Sequence, residues 1–468
     1  MRHFSHGRLL QQINLLRTQF GQSSDLPFGE VLSMPLLMRV LEEAKLAWTD
    51  CIYTPLVTIL TFLWQVTNQD HSCRAAVAKL VAHRAASGLS PCSPQTGAYC
   101  TARQKLPEPV LAKLARQTGR QLHAQSPAAW KWHGRDVKLV DGSTVSMPDT
   151  TANQAAYPQH RNQRPGVGFP LARIAAVFSL ACGTVLDLAI CRHQGKHQSE
   201  LGLLRLMWNL FAPRDVLLAD RYLCSWSELA VLRERGVDFV ARLHAKRSAD
   251  FRRGRRLGPD DHLVTWRKPR RPDWMNPVQY ARLPRELVVR EVRVSVGVPG
   301  FRVQTLVVAT SLLDAEEFPA GELADLYRQR WHAELDLRSL KSTLQMDVLR
   351  CKTPEMVRKE IWTHLLAYNL VRTIMAQAAL THSHLPRALS FKGALQTLNA
   401  FQPQLEQASS ELVGRLLHQL LKAVAVHQVA DRPNRYEPRV RKRRPKAYPL
   451  LHQPRAQARL ALRRNHLG

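Results

Sequence analysis

Residues 136–147 read DVKLVDGSTVSM and residues 214–225 read RDVLLADRYLCS; the class of fold follows from these two stretches. The first is a β-branched run that meets a Gly-Ser turn and resumes, the pattern of a strand. The second is a short apolar run closed by Asp-Arg, the profile of a buried parallel strand. Between them, ARIAAVFSLACGTVLDLAICR (172–192) reads as two strands around Cys182-Gly183, and HQSELGLLRLMWNLF (197–211) as a helix with Ser199 capping it before Glu200. WSELAVLRERG (226–236) is a helix closed by glycine, and VDFVARLH (237–244) is another strand. Three strands, a helix, a strand, a helix and a strand predict an α/β sheet domain.

Outward from this centre the pattern changes. Residues 1–130 are mostly helical, with apolar residues at helical spacing in PLLMRVLEEAKLAW (35–48) and LAKLARQTGRQLHAQ (111–125), and SGLSPCSPQT (87–96) as a loop. From about Ala245 to Pro299, Arg, Lys and Pro crowd the chain before strand alternation resumes in VVREVRVSVGVPGF. The α/β pattern returns with RVQTLVVATSLL (302–313), a long helix from about Ala320, and a second over 354–380. The expected divisions are a helical region 1–130, a sheet domain in two parts (131–244 and 302–380), a basic β-rich insertion 245–301, and a helical C-terminal region with a basic tail, 381–468. From Arg432 onward there are twelve Lys and Arg against one Glu, a run suited to tracking phosphates. No period of 20–50 residues recurs, so a solenoid is not expected.

The whole chain has 468 residues and a formal net charge of +30, with 45% hydrophobic and 22% charged residues. That composition excludes whole-chain disorder and collagen-like structure. The charge excess calls for a polyanionic partner, nucleic acid or an anionic membrane surface. Membrane insertion is not expected. The most apolar stretch, Cys51 to Val66, includes Thr and Gln and falls short of the ~18 apolar residues of a spanning helix. MRHFSHGRLLQQ lacks the apolar core of a signal peptide. The eight cysteines are scattered without a C-x-x-C pair, against a zinc ribbon or disulfide framework and for a reducing cytoplasm.

In so basic a chain the strand-end carboxylates stand out. Asp141 sits where the first strand turns, in LVDGS, and Asp220 ends the apolar strand LLAD. A carboxylate at the C-terminal edge of such a strand points into the crevice where ligands bind; either residue serves equally as a turn or capping aspartate. The helix LADLYRQRWHAELDLRSLKSTL (323–344) carries Tyr327, Arg330, Glu334 and Lys341. At 3.6 residues per turn all four fall within a ~60° arc of one face. A salt-bridged surface helix would show the same neighbours. Leu326, Trp331, Leu335, Leu337 and Leu340 make most of the rest of the helix apolar, so a polar stripe on it is costly unless it faces a polar ligand.

The spacing Tyr-x2-Arg-x3-Glu-x6-Lys, read here at Tyr327, Arg330, Glu334 and Lys341, resembles the signature of the insertion-sequence-four family of bacterial transposases. LVDGST around Asp141 and LLADRYLCSW around Asp220 are similar to that family's other blocks, and the order Asp, Asp, Glu resembles the DDE triad. The resemblance spans about Lys138 to Arg372 and extends to the KRRPKAYP tail. It implies an RNase H-like catalytic core interrupted by the basic β-rich insertion, with a helical N-terminal DNA-binding region and a helical, basic C-terminal region. It implies phosphodiester cleavage and joining of 3′-OH ends to target DNA, with Asp141, Asp220 and Glu334 as catalytic residues. The same three would hold two Mg²⁺ ions per site, with Mn²⁺ able to substitute. Tyr327, Arg330 and Lys341 would grip double-stranded DNA at the terminal inverted repeats. Trp266 or Trp274 would stack on an exposed base or pack in the β-rich insertion. Arg441, Lys442, Arg443 and Arg444 form the densest basic cluster of the tail and would contact DNA. A homodimer with one active site per element end fits two-fold symmetry, and the bacterial cytoplasm, at the nucleoid, is the expected location.

Two other readings share these residues: a DNA-binding regulator with an inactive nuclease centre, and a structure-selective nuclease without strand transfer. His193 and His197 flank QGK but lack zinc-ligand spacing. PGVGF (165–169) is a lone G-x-G and reads as a loop, and Asp136, Asp149 and Asp187 as supporting residues.

Overall fold

The computed structural model describes residues 6–45, 51–195, 198–296, 304–429 and 449–466. Among the described residues nine strands form one sheet: β1 (Val137–Ser146), β2 (Leu171–Ser179), β3 (Val185–Arg192), β4 (Val216–Ala219), β5 (Asp238–Arg242), β6 (Arg255–Gly258), β7 (Asp261–Arg267), β8 (Glu286–Val296) and β9 (Gln304–Thr310). Their order is β3-β2-β1-β4-β5-β9-β8-β7-β6. β1, β4 and β5 run parallel at the centre, and every other pairing is antiparallel. The expected α/β sheet is therefore present. The strands of the basic stretch 245–301 extend this same sheet through β9.

Both faces of the central strands are covered, and the period of two explains how. Val137, Leu139, Ile174, Ala176, Val216, Leu218 and Val240 share one apolar core with the N- and C-terminal helices. Their neighbours Val140, Ala175, Val177, Leu217, Ala219 and Phe239 join a second core. Leu203 and Leu204 of helix Glu200–Arg205, and Leu229 and Leu232 of helix Trp226–Glu234, belong to that second core. One expectation is corrected here. DVKLVDGSTVSM does not turn at Gly142-Ser143; β1 runs straight through, paired with β2 from Lys138 to Ser146. The glycine is there for a close approach, described below.

N-terminal to the sheet lie the helices His6–Gln19, Met34–Glu43, Pro55–Thr67, Cys73–Ala86, Gly97–Lys105 and Glu108–Ala124. They are not packed apart from the sheet. Helix Glu108–Ala124 crosses β3 so closely that a Cβ at Gly119 would lie 2.1 Å from the Val185 carbonyl oxygen. Asn369, on the buried helix Pro354–Thr381, ties the two together: its amide donates to Ala115 and Val185 carbonyls at 2.9 and 3.0 Å, and its oxygen accepts the Val185 amide at 2.9 Å. Among the described residues no helix is long and apolar enough to cross a membrane.

The same helix buries His364 against His71, with ring centroids 5.7 Å apart. Burial, aided by the charge of Arg350, lowers the His71 imidazole from 6.5 to about 4. Burial holds His364 well below its usual value, and repulsion from His71 would oppose protonating both rings. Both rings are neutral in the folded state, so between pH 6.5 and 4 the unfolded chain binds more protons and stability falls as pH falls. For His71 alone the loss is ~3 kcal/mol at 1.36 kcal/mol per pKa unit. Urea unfolding at pH 7 and pH 4.5 should show this loss, and His71→Gln should flatten the acid limb; an unchanged limb would count against the pair.

Candidate active site

Parallel register brings the two aspartates together. Leu139 of β1 is paired with Leu218 of β4; two residues further on, the chains reach Asp141 and Asp220. Asp141 is still within β1, paired with Ala176 of β2, and its Oδ1 accepts the Gly142 amide at 2.8 Å. Asp220 lies just past β4, where its Oδ1 accepts the amides of Tyr222 and Leu223 at 2.9 and 3.2 Å.

The third carboxylate arrives on a segment that differs from expectation. The single helix expected from Ala320 onward is three pieces: Ala320–Arg328, Trp331–Arg338 and a π-helical turn Ser339–Thr343. At the first junction the ladder tightens: Arg330, His332 and Ala333 donate to the carbonyl three residues back. At the second it widens, Leu344 donating to Ser339. Counting along a uniform helix therefore does not locate these side chains. The motif residues nevertheless converge. Arg330 donates to Glu334 at 2.7 Å, and its charge opposes the burial that raises the Tyr327 hydroxyl. Lys341 Nζ donates to Ser143 Oγ of β1 at 2.9 Å, and in the loop that follows the π turn the Asp347 carbonyl accepts the Ser146 amide at 2.9 Å while the Leu349 amide donates to the Ser146 carbonyl at 2.8 Å.

The electrostatics report the same convergence. Burial pushes the Asp141 carboxyl up to about 6; the charges of Glu200 and Glu334 add to this, while the Gly142 amide and Arg330 oppose it. Burial, with Asp220 adding, raises Glu200 as well. Glu200 is one acidic residue that sequence reasoning missed. Ser199 caps its helix through the Gly202 amide, as expected, and Glu200 packs on Gly142 so tightly that a Cβ there would meet its Cδ at 2.5 Å. A glycine inside a strand often marks such an approach. Arg173 of β2 lies 3.7 Å from the Glu200 carboxylate.

A second missed residue holds the Glu334 segment in place. Asp336 is fully buried between Arg372, on the long helix, and Arg387, at 2.7 Å. Arg387 also donates to the Ser179 and Leu180 carbonyls at 2.6 and 2.8 Å, so Glu334 sits beside a clamp to the end of β2.

Carboxylate oxygens are the ligands that hard divalent cations prefer, and burial, with a smaller contribution from the neighbouring carboxylates, disfavours the Asp141 charge that a cation would stabilise. Among the described residues no three Asp, Glu, His or Cys side chains are already gathered into an ion-holding group: Glu334 is turned to Arg330, and Asp220 to backbone amides. Trp266 is buried, donates to Glu291 at 2.9 Å and has the Arg247 guanidinium 3.9 Å from its ring centroid. Trp274 is half-buried, edge-on to Trp208 and covered by Arg205 at 3.9 Å. Arg441, Lys442, Arg443 and Arg444 lie outside the described residues.

The stretch that carries all three carboxylates, residues 132–370, matches the family described as Transposase DDE domain. The chain belongs to the DDE transposase family. It is 29% identical over 360 residues to the transposase InsG for insertion sequence element IS4 of Escherichia coli (strain K12), covering 75% of this chain and 77% of that relative. The resemblance read from the Tyr-Arg-Glu-Lys spacing is borne out by these matches. A shorter match, 41% over 69 residues, links this DDE transposase to the putative transposase InsL for insertion sequence element IS186A of the same organism, covering 15% of this chain and 19% of the relative. Among solved structures, a piggyBac transposase synaptic complex with hairpin DNA covers 87% of the chain and is itself covered over 84%, with a TM-score of 0.42 at 9% identity.

Proposed function

We propose that this transposase cuts DNA at the terminal inverted repeats of its insertion sequence and joins the 3′-OH ends to target DNA, in a cut-and-paste reaction carried out by a homodimer in the bacterial cytoplasm, at the nucleoid. What supports this reading is the β1–β4 register that leads on to Asp141 and Asp220, with Lys341 bonded to Ser143 beside Asp141 and Arg330 to Glu334, inside a transposase DDE domain. We assign an RNase H-like core to residues 131–244 and 302–380, interrupted by the basic insertion 245–301. Residues 1–130 and 381–468, including Arg441, Lys442, Arg443 and Arg444, flank it as DNA-contacting regions.

Asp141, Asp220 and Glu334 are the residues that would hold divalent cations, two Mg²⁺ or Mn²⁺ per site. When bound, these supply Lewis acidity to the attacking and leaving oxygens of a phosphodiester. The chain's own groups do the positioning. Arg330 neutralises Glu334 in the free protein; a DNA phosphate offers the guanidinium a bidentate partner, and its transfer to that phosphate releases the Glu334 carboxylate. Lys341, held against β1 by Ser143, presents a point charge to the same backbone. Tyr327 orients Arg330. Of the two tryptophans, Trp274 keeps exposed surface and is the one we assign to base stacking.

The test is excision from a supercoiled plasmid carrying the repeats that flank the gene, with and without Mg²⁺. Wild type should release the segment in the presence of the metal and Asp141→Asn should not. End-binding without cutting under Mg²⁺ or Mn²⁺ would instead identify an inactive DNA-binding relative.

Gly142→Ala tests the packing of Glu200 on β1. The new methyl meets a flexible side chain, so the fold should persist, with stability within ~1 kcal/mol of wild type. Displacing Glu200 beside Asp141 should lower cleavage ~10–100-fold, the usual penalty for an ångström of misplacement. Single-turnover cleavage at wild-type rate would show that the Glu200 position is immaterial.

A further inference from the structure

Beside the carboxylates lies a cleft of about 490 Å³ whose walls carry Arg161, Asn162, Arg173, His193, Gln198 and Tyr222. Two links join it to the acidic centre: Tyr222 donates its amide to Asp220 at 2.9 Å, and Arg173 approaches Glu200 at 3.7 Å. None of the described residues lining it is acidic, so two guanidiniums face one small volume next to a cluster of opposite charge.

The cleft contains hydrogen-bonding groups that the fold leaves over. Arg173 directs one terminal nitrogen at Glu200 and donates from the other to the His193 carbonyl at 3.1 Å. Its Nε is buried and has no partner among the described residues. His193 Nδ1 is in the same condition, with the His160 ring 5.3 Å away. A buried N–H without an acceptor costs about 1–3 kcal/mol. At the mouth, Arg161 is exposed and Tyr222 is 44% exposed. Guanidinium donors pair best with an anionic oxygen, and such side chains are those that fix a sugar–phosphate backbone in register.

We propose that this cleft holds a backbone phosphate of the DNA strand adjacent to the phosphate being cut, with Arg173 and Arg161 as its donors. The inference rests on the DNA-cutting reading above. The cleft sets where the strand lies over Asp141 and Asp220; it does not take part in bond breaking.

Phosphate interference with the full-length protein tests it. The probe is a duplex carrying the terminal repeat and its flank, with single methylphosphonates stepped through the positions around the cut. In wild type, one neutralised phosphate beside the cut should weaken binding about tenfold. Arg161→Gln and Arg173→Gln should each bind unmodified DNA about tenfold more weakly, with the salt slope reduced by roughly one. Both should be indifferent to neutralisation at that phosphate alone. Arg161 is exposed, so its variant remains informative if removing Arg173 disturbs Glu200. Wild-type affinity and a wild-type interference map in both variants would overturn the proposal, even with cleavage intact. Asp141→Asn, run alongside, should lose cutting and keep the map. If wild type fails to cut while its map still depends on Arg161, the cutting reading falls and the cleft stands.

Discussion

Glu334→Gln should retain end-binding and lose cleavage by about 10³-fold. The substitution keeps the shape and an oxygen that can accept from Arg330, now 2.7 Å away, and removes one negative charge from the group that would hold a cation. Charge stabilisation of that kind is worth several kcal/mol, and each 1.36 kcal/mol is about tenfold in rate. Binding should move the other way, if at all. The Arg330 guanidinium loses a competing anion and becomes freer to pair with a phosphate, so affinity for the terminal repeat should be unchanged or slightly higher. Gel-shift titration beside a single-turnover cleavage assay separates the two effects. Cleavage at wild-type rate would mean that the Glu334 segment is not part of the reacting centre.

Asp336→Ala should be the most damaging single change to stability at the site, by ~3–5 kcal/mol, the range for removing one partner of a buried ion pair. The carboxylate is fully buried between Arg372 and Arg387. Its loss strands two guanidiniums, one bonded to Tyr368 Oη at 2.9 Å and the other to the end of β2. Asp336→Asn keeps one acceptor oxygen and should be milder. Denaturant unfolding reads this as a lower midpoint at constant slope. An unshifted midpoint in Asp336→Ala would show that the clamp contributes no net stability. Because Asp336 is two residues from Glu334, cleavage should fall with it even at temperatures where the variant is folded.

The central strands and helices of this transposase were legible because their apolar residues recur with the period of each element. β4 is a continuous apolar run, and β2 and β3 flank a Cys-Gly turn. Asp220 was legible as a carboxylate just past a strand; Asp141 was picked out by the same reasoning although it lies within β1, and the Tyr-Arg-Glu-Lys spacing carried Glu334 into the same group. Gly142 was visible but misread. In LVDGS a turn and a close contact leave the same trace, and the partner that distinguishes them, Glu200, is 58 positions away on a helix.

Composition and periodicity thus established a basic α/β protein with three candidate acids. They act through local interactions, in which each residue's preference depends on its near neighbours. Register between β1 and β4, the tightened and widened turns around Glu334, the Asp336 clamp and the seating of Glu200 on Gly142 belong to the folded molecule alone. Each joins residues that lie far apart in the chain or depends on packing against another layer. The angle of a helix residue counted at 100° per step holds only while the ladder is uniform, and between Arg330 and Thr343 contacts with β1 and the long helix accompany departures from it. Which carboxylates become neighbours is therefore a property of packing, since only the assembled sheet aligns β1 with β4 and seats the helices against them.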